Sequence, residues 1–321
     1  MINILNYGIS ISLPIYHIET IDKETIDKKN IDKETIDKKN IDKKNIDKKN
    51  IDSKRENIDY IIGNSIQIMF NKRMINNKDI LFINNVITNH NLINIFVHAS
   101  YQINIASEFL YQNFNDKTIK LYNPSLEILL SEIYYSIKIN AQGIIVHMGK
   151  NVKQKHDNDL IYNNMVNFVL QLFKNQIPKN FIIIFETTAG QKGEMCWDLH
   201  DYVNFILLFK NTKFYNQVGI CIDTCHIFQA GYDLNNIEII KKVHLILKPI
   251  ENKIKLIHLN DSLLPYNSHI DKHQRIGEGY IKTNNLLTFI KPYINIPFIL
   301  ETKPPYKKQI KNIYDLLKNK N

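Results

Sequence analysis

Apolar runs of strand length alternate with longer amphipathic stretches over most of this chain. The runs fall at residues 6–12, 65–70, 93–97, 143–146, 181–185, 218–223, 255–257 and 298–300 and are rich in Ile, Val and Phe. Helical periodicities occupy 124–140, 158–174 and 235–249, and an amphipathic tail helix begins at about Lys307. Apolar strands separated by helices predict a parallel sheet buried on both faces. The runs number eight, the count that closes an α/β (β/α)8 TIM barrel, whose active sites lie at the C-terminal strand ends.

One segment breaks the pattern. Near-copies of the pentad Ile-Asp-Lys-Lys-Asn run from Ile21 to about Asn57. A period of five turns each Ile by about 140° on a helix and throws successive Ile to opposite faces of a strand, so no apolar face forms. A β-solenoid would need small residues where Lys and Asp stand. The segment is expected to be a solvated insertion that buries nothing, and its nearly balanced charge argues against a DNA-tethering arm. The expected organisation is residues 1–20 as the first strand and the start of its crossover, 21–57 as the low-complexity insertion, and 58–321 as the remainder of the barrel.

Composition changes this picture little. A chain of 321 residues can bury a large core. The heavy use of Ile, Asn and Lys looks like the codon bias of an AT-rich genome, so many surface Asn and Lys need carry no message. The net charge of +9 leans toward a polyanionic partner, although basic composition also serves solubility. Three cysteines without framework spacing point to a reducing, intracellular compartment. No run is long and apolar enough to span a bilayer, and the first residues lack the marks of a signal peptide.

The chemistry lies where the strands stop. Six successive runs end in His98, His147, Glu186, Asp223, His258 and Glu301. A single strand-end acid or histidine is more often a structural hydrogen-bonding residue; six at one barrel face reverse that reading. Loops add His226, Asp271 and His273. Imidazoles with carboxylates favour zinc, manganese or iron over magnesium or calcium. Nine such side chains exceed the needs of one tetrahedral ion and suit two or three ions sharing a bridging carboxylate. Clustered metals of this kind suit hydrolysis of a phosphodiester. Cys221 and Cys225 flank Asp223 and have the chemistry to ligate zinc, but free cysteines beside a strand end more commonly pack as small apolar residues.

Specific stretches carry a family resemblance: Val97-His-Ala-Ser-Tyr101, Val146-His-Met-Gly149, Glu186-Thr-Thr-Ala-Gly-Gln191, Cys221-Ile-Asp-Thr-Cys-His226 with Ala230-Gly-Tyr-Asp233, His258-Leu-Asn-Asp-Ser262, Asp271-Lys-His273 with Gly277-Glu-Gly279, and Leu300-Glu-Thr302. In this order they resemble endonuclease IV, the family of zinc-dependent apurinic/apyrimidinic endonucleases, from roughly Ile58 to the C-terminus. The resemblance implies three zinc ions per chain. His98, His147 and Glu186 would hold one. Glu186 would bridge to a second, held also by Asp223, His258 and Glu301, while His226, Asp271 and His273 would hold the third. Glu186 is then the expected catalytic residue, orienting the hydroxide that attacks the phosphate 5′ to an abasic site in double-stranded DNA. The products would be a 3′-hydroxyl and a 5′-deoxyribose phosphate. Tyr101 matches a position that contacts DNA near the lesion. Lys72, Arg73, Lys150, Lys192 and Lys272 fall in loops of the same face and are candidate phosphate contacts. A monomer is expected.

The sequence departs from the family pattern at Ser100, where proline is usual, so the loop after His98 is expected to be less rigid. Further departures are Met148, Lys150, Thr187 and Lys192; none removes a metal ligand. His17, His90, His156, His200, His244 and His269 receive no role. Two alternatives stay open: a sugar isomerase or epimerase of the xylose-isomerase-like barrels, which needs one metal at residues such as Glu186, Asp223, His258 and Glu301, and a non-catalytic DNA-binding protein on the same scaffold.

Overall fold

A computed structural model describes residues 7–11, 63–70, 76–114, 118–152 and 157–318. The pentad segment, Lys72 and Arg73 lie outside them. Eight parallel strands close into a barrel: β1 (Tyr7–Ile11), β2 (Ser65–Met69), β3 (Asn94–His98), β6 (Gly143–His147), β7 (Ile182–Glu186), β8 (Val218–Asp223), β9 (Ile254–His258) and β12 (Phe298–Leu300). Their spatial order follows the chain, and β1 pairs with β12 to complete the ring. The expected α/β TIM barrel is therefore the fold.

Among the described residues the α-helices are α1 (Asn77–Asn89), α2 (Pro124–Lys138), α3 (Asn158–Leu172), α4 (Leu199–Leu207), α5 (Thr224–Gln229), α6 (Ile237–Leu247) and α7 (Thr283–Ile290), with α8 (Tyr306–Lys318) after the last strand. Part of the asparagine richness has a structural use. Asn76, Asn123 and Asn236 are helix N-caps whose side-chain oxygens accept from first-turn amides, satisfying donors that a helix start leaves open. The antiparallel hairpin β4 (Leu110–Phe114) and β5 (Thr118–Tyr122) was not expected from the pattern of apolar positions. Among the described residues no helix is long and apolar enough to cross a membrane.

Two apolar layers result. Ile68, Val97, Val146, Ile183, Phe185, Ile222 and Ile257 belong to the larger core, shared with the helices. Inside the barrel Phe96, Ile145, Ile184, Cys221, Leu256 and Ile299 form a separate cluster. Each of these six stands two residues before a strand-end His or acid. Because side chains along a strand alternate with period two, an inward apolar residue dictates that the residue two positions on also faces the barrel axis. The inner cluster is thus the floor on which the polar groups rest.

The short pair β10 (Asp261–Ser262) and β11 (His273–Gln274) brings the 263–272 loop back toward β9. The Asp261 carboxylate fastens the next turn, accepting from the amides of Gly277, Gly279 and Ile281 at 2.9–3.0 Å. A Cβ at Gly279 would run into the Ser262 carbonyl, which accounts for glycine there.

Truncating the floor should be costly. Ile184→Ala is expected to destabilise the fold by about 2–5 kcal/mol through lost burial and a residual cavity. Leu245→Ala, at a residue 73% exposed, should cost less than about 0.5 kcal/mol. Equilibrium urea unfolding of the two variants checks the contrast.

Candidate metal centre

The parallel register sets the arrangement of polar groups at the barrel mouth. His147 lies opposite Glu186, and Asp223 lies opposite His258. Asp223 is both the end of β8 and the N-cap of α5; its Oδ1 accepts from the amides of Cys225 and His226 at 2.7 and 3.0 Å. That cap starts a helix whose first turn carries His226 back over the barrel mouth. Glu301 follows the last residue of β12, and its amide is held by Asn260 Oδ1 at 2.9 Å.

Glu186 is the centre of the group and is fully buried. Its Oε1 lies 2.7 Å from His258 Nδ1 and 3.5 Å from His226 Nδ1. Its Oε2 lies 3.2 Å from His98 Nε2 and 3.1 Å from His147 Nε2. His258 Nδ1 is also 3.2 Å from Glu301 and 3.6 Å from Asp223. At the outer side, Asp271 Oδ1 is 3.2 Å from His226 Nε2 and 3.0 Å from His273 Nε2. Donor atoms lie within 4.8 Å of one another in three sets: His98, His147 and Glu186; Glu186, Asp223, His258 and Glu301; and His226, Asp271 and His273. All nine of the expected ligands are brought together, and Glu186 belongs to two sets.

The tautomers of three histidines are set from behind. The Nδ1 of His98 faces the Ala99 carbonyl at 2.9 Å, and that of His226 the Thr187 carbonyl at 2.7 Å. A carbonyl only accepts, so each Nδ1 carries a proton and each Nε2 is the nitrogen left facing the cluster, available to a cation once its own proton is lost. His258 is reversed: Nε2 donates to Gln67 Oε1 at 2.7 Å and Nδ1 faces the cluster. The Gln67 amide nitrogen in turn donates to Glu301 at 2.6 Å, and the Asn260 amide nitrogen donates to Asp223 at 2.7 Å. Such outer partners orient metal ligands, and the acceptors facing His98, His226 and His258 also raise the basicity of the ring nitrogen turned to the cluster.

Sequence reasoning missed Gln67 and Asn260 as parts of the site. Gln67 had a signal, an amide set between Ile66 and Ile68 in a barrel strand. Asn260 stood within the quoted His258–Ser262 motif without a role.

The metal-free cluster holds charge in pairs. Burial works against ionisation of Glu186, yet His258 and His147 bring its pKa well below the usual carboxylate range. Burial is likewise overcome at Asp271, held low by His226 and His273. Burial would lower the pKa of His273, but Asp223, Asp271 and Glu301 raise it to about 9. His226 is raised against its burial by Asp223 and Asp271. At His147 burial wins, and the pKa falls to about 4. Against its burial, His258 is raised as well by the Glu301 and Glu186 carboxylates, so protonated imidazoles occupy places where a cation would bind, which makes the donor set chemically apt for a metal. His226 Nε2 and His273 Nε2 are only 3.4 Å apart and share Asp271, as expected of groups converging on one cation.

The cysteines do not fit as ligands. All three are buried and free. Cys221 lies near Glu186 and His258, and Cys225 near Asp223 and His273. Burial pushes the Cys221 thiol up to about 12 and raises Cys225 further, disfavouring the thiolate that a metal requires.

The expected DNA contacts have different fates. Tyr101 is 72% exposed at the rim, its ring 5.6 Å from that of His98 and 5.5 Å from that of His147. It lines a cleft of about 370 Å³ with Gln102, Lys150, Gln191, Glu194 and Asp271. Lys150 faces Glu194 at 3.8 Å, so part of its charge is met within the protein. Lys192 and Lys272 are exposed. His269, without a role in the sequence, faces the Ala189 carbonyl at 3.2 Å and packs edge-on against Trp197.

With the geometry in place, similarity to known proteins can be stated. The xylose isomerase-like TIM barrel family matches residues 66–320. A probable endonuclease 4 of Mesoplasma florum is 37% identical over 238 residues, covering 72% of this chain and 74% of the relative. A probable endonuclease 4 of a Sulfurihydrogenibium species is 33% identical over 210 residues, covering 64% and 70%. Among solved structures, endonuclease IV from Thermus thermophilus superposes with a TM-score of 0.58 at 16% identity, covering 80% of this chain and 88% of that one. A D-tagatose 3-epimerase-like protein also reaches 0.58, at 19% identity and coverages of 80% and 88%. At such identities the superpositions speak for the barrel and not for the reaction.

Two outcomes follow from the charge pairing and the outer hydrogen bonds. Metal uptake must expel the protons of His226, His258 and His273. Below about pH 9 the His273 proton is present and competes, so metal affinity should fall about tenfold per pH unit for each proton displaced; chelator competition at about pH 6.5 and pH 8 measures it. Gln67→Leu should weaken metal binding by about 10–100-fold, read by the same competition at constant pH.

Proposed function

This chain belongs to the endonuclease IV family within the xylose isomerase-like TIM barrels, and we propose that it is a DNA-repair endonuclease that hydrolyses the phosphodiester 5′ to abasic sites in duplex DNA. The products are a 3′-hydroxyl and a 5′-deoxyribose phosphate. The convergence of nine imidazole and carboxylate donors into three sets around Glu186 carries the reading. The donors suit zinc. His98, His147 and Glu186 hold one ion; Glu186, Asp223, His258 and Glu301 a second; His226, Asp271 and His273 a third. Bound together, such ions supply a nucleophile at neutral pH and neutralise charge on the phosphate.

The protein's own contribution is placement. Glu186 spans two sets and fixes their separation, and Gln67 and Asn260 hold their neighbours in orientation. Asp271 and His273, less buried than Glu186, face the open side from which a phosphate arrives. A recessed cluster is reached only by a nucleotide that leaves the stack, and one without a base costs little to flip. Tyr101 stands at the rim to fill the gap, while Lys192 and Lys272 supply charge for the DNA backbone, with Lys72 and Arg73 proposed alongside them. The chain acts as a monomer, with residues 21–57 peripheral to catalysis.

A single-metal sugar isomerase would use Glu186, Asp223, His258 and Glu301, which do stand together. It would leave His98, His147, His226, Asp271 and His273 without work and is not favoured.

Purified protein loaded with zinc should cut a duplex containing one abasic-site analogue, lose activity in EDTA and regain it with added zinc. Glu186→Gln should lower the rate more than about 100-fold, the upper range for loss of a ligand's outer partner. An uncut duplex under metal-loaded conditions contradicts the proposal. Deleting residues 21–57 should leave the cleavage rate within about twofold, as the pentad sequence offers no apolar face to pack.

A further inference from the structure

The loop between His98 and Tyr101 is fastened to a buried carboxylate outside the metal cluster. Glu132 lies on the inward face of α2 and is only 8% exposed. The Ser100 amide donates to Glu132 Oε2 at 3.0 Å. The Ser100 hydroxyl reaches Glu132 Oε1 and, at 3.2 Å, the carbonyl of Phe70. One serine therefore ties the ends of β2 and β3 to α2. On the other side the Ile103 amide donates to the Ser100 carbonyl at 3.0 Å, closing a turn with Tyr101 and Gln102 at its tip. The Ala99 amide is held by the Ile145 carbonyl at 2.8 Å. Every anchor of the turn is on the protein side, while Tyr101 projects into the cleft beside His98 and His147.

We propose that Glu132, acting through Ser100, is a positioning residue that fixes Tyr101 over the mouth of the metal site and thereby sets the fit of the extrahelical nucleotide. The anchor replaces the rigidity expected of proline at this place, so the loop is not loose. Glu132 meets the loop's amide and hydroxyl without being one of the nine grouped donors; its carboxylate also interacts electrostatically with His98, so metal content is measured beside KM. The inference rests on the endonuclease reading for its substrate, but not for the anchor itself.

Two measurements on the full-length, zinc-loaded chain test it. In hydrogen exchange, Glu132→Met should accelerate the amides of Ser100 and Ile103 by about tenfold or more, the effect of losing the hydrogen bonds of Ser100 to a buried carboxylate. Glu132→Gln should not, because its amide can accept from Ser100 N–H and donate to Oγ. Unchanged exchange in Glu132→Met overturns the anchor. In steady-state cleavage of an abasic duplex, Glu132→Met should raise KM by about tenfold with kcat and metal content nearly unaltered, and Glu132→Gln should restore it. In a Tyr101→Ala background Glu132→Met should add nothing, since one acts through the other. Independent, multiplying effects, or a fall in kcat together with metal content, overturn the positioning role. Absence of cleavage by the wild-type chain would count against the endonuclease reading, while the exchange result still decides the anchor.

Discussion

A fully buried carboxylate ringed by four imidazoles is the constraint on which the site depends. Glu186 has no access to water, yet its two oxygens lie within 3.5 Å of ring nitrogens from His98, His147, His226 and His258. An ionised carboxylate in an apolar interior is strongly unfavourable unless it is paired and hydrogen-bonded. The four rings come from β3, β6, the first turn of α5, and β9. The pairing therefore couples well-separated parts of the chain, and losing one ring leaves charge uncompensated at the end of β7.

The barrel makes such a convergence cheap to build. Closure points alternate side chains of every strand at the axis. A floor of Phe96, Ile145, Ile184, Cys221, Leu256 and Ile299 lifts the next inward residue of each strand to one level. Residues 218–226 show how two tasks share one segment. Asp223 belongs with Glu186, His258 and Glu301, and by capping α5 it sends His226 to the outer set with Asp271 and His273. The flanking cysteines serve packing, because burial keeps them as thiols.

Much of this was legible in the chain. Strand-end histidines and acids can be read because a parallel barrel gives its strand ends one meaning, and the quoted motifs carried the ligands in order. The strand limits moved by a residue or two, as at Asn94–His98. What escaped was tertiary or of weak pattern. The hairpin β4–β5 has Asn115, Asp116 and Lys117 between its strands but no glycine or proline to mark the turn. Gln67 shows its use only when β2 lies across the barrel from His258 and Glu301. Ser100 looked like a loss of rigidity because its partner, Glu132, is 32 residues away on a helix. Asparagines taken as compositional noise proved to include helix caps.

The central claim is that these nine side chains form one contiguous site for three metal ions. Anomalous X-ray diffraction at the zinc absorption edge, on crystals of the zinc-loaded chain, tests it most directly. The account predicts three peaks in one cluster, one in each donor set, with Glu186 touching two of them. A single peak held by Glu186, Asp223, His258 and Glu301, or a peak on Cys221 or Cys225, would contradict it.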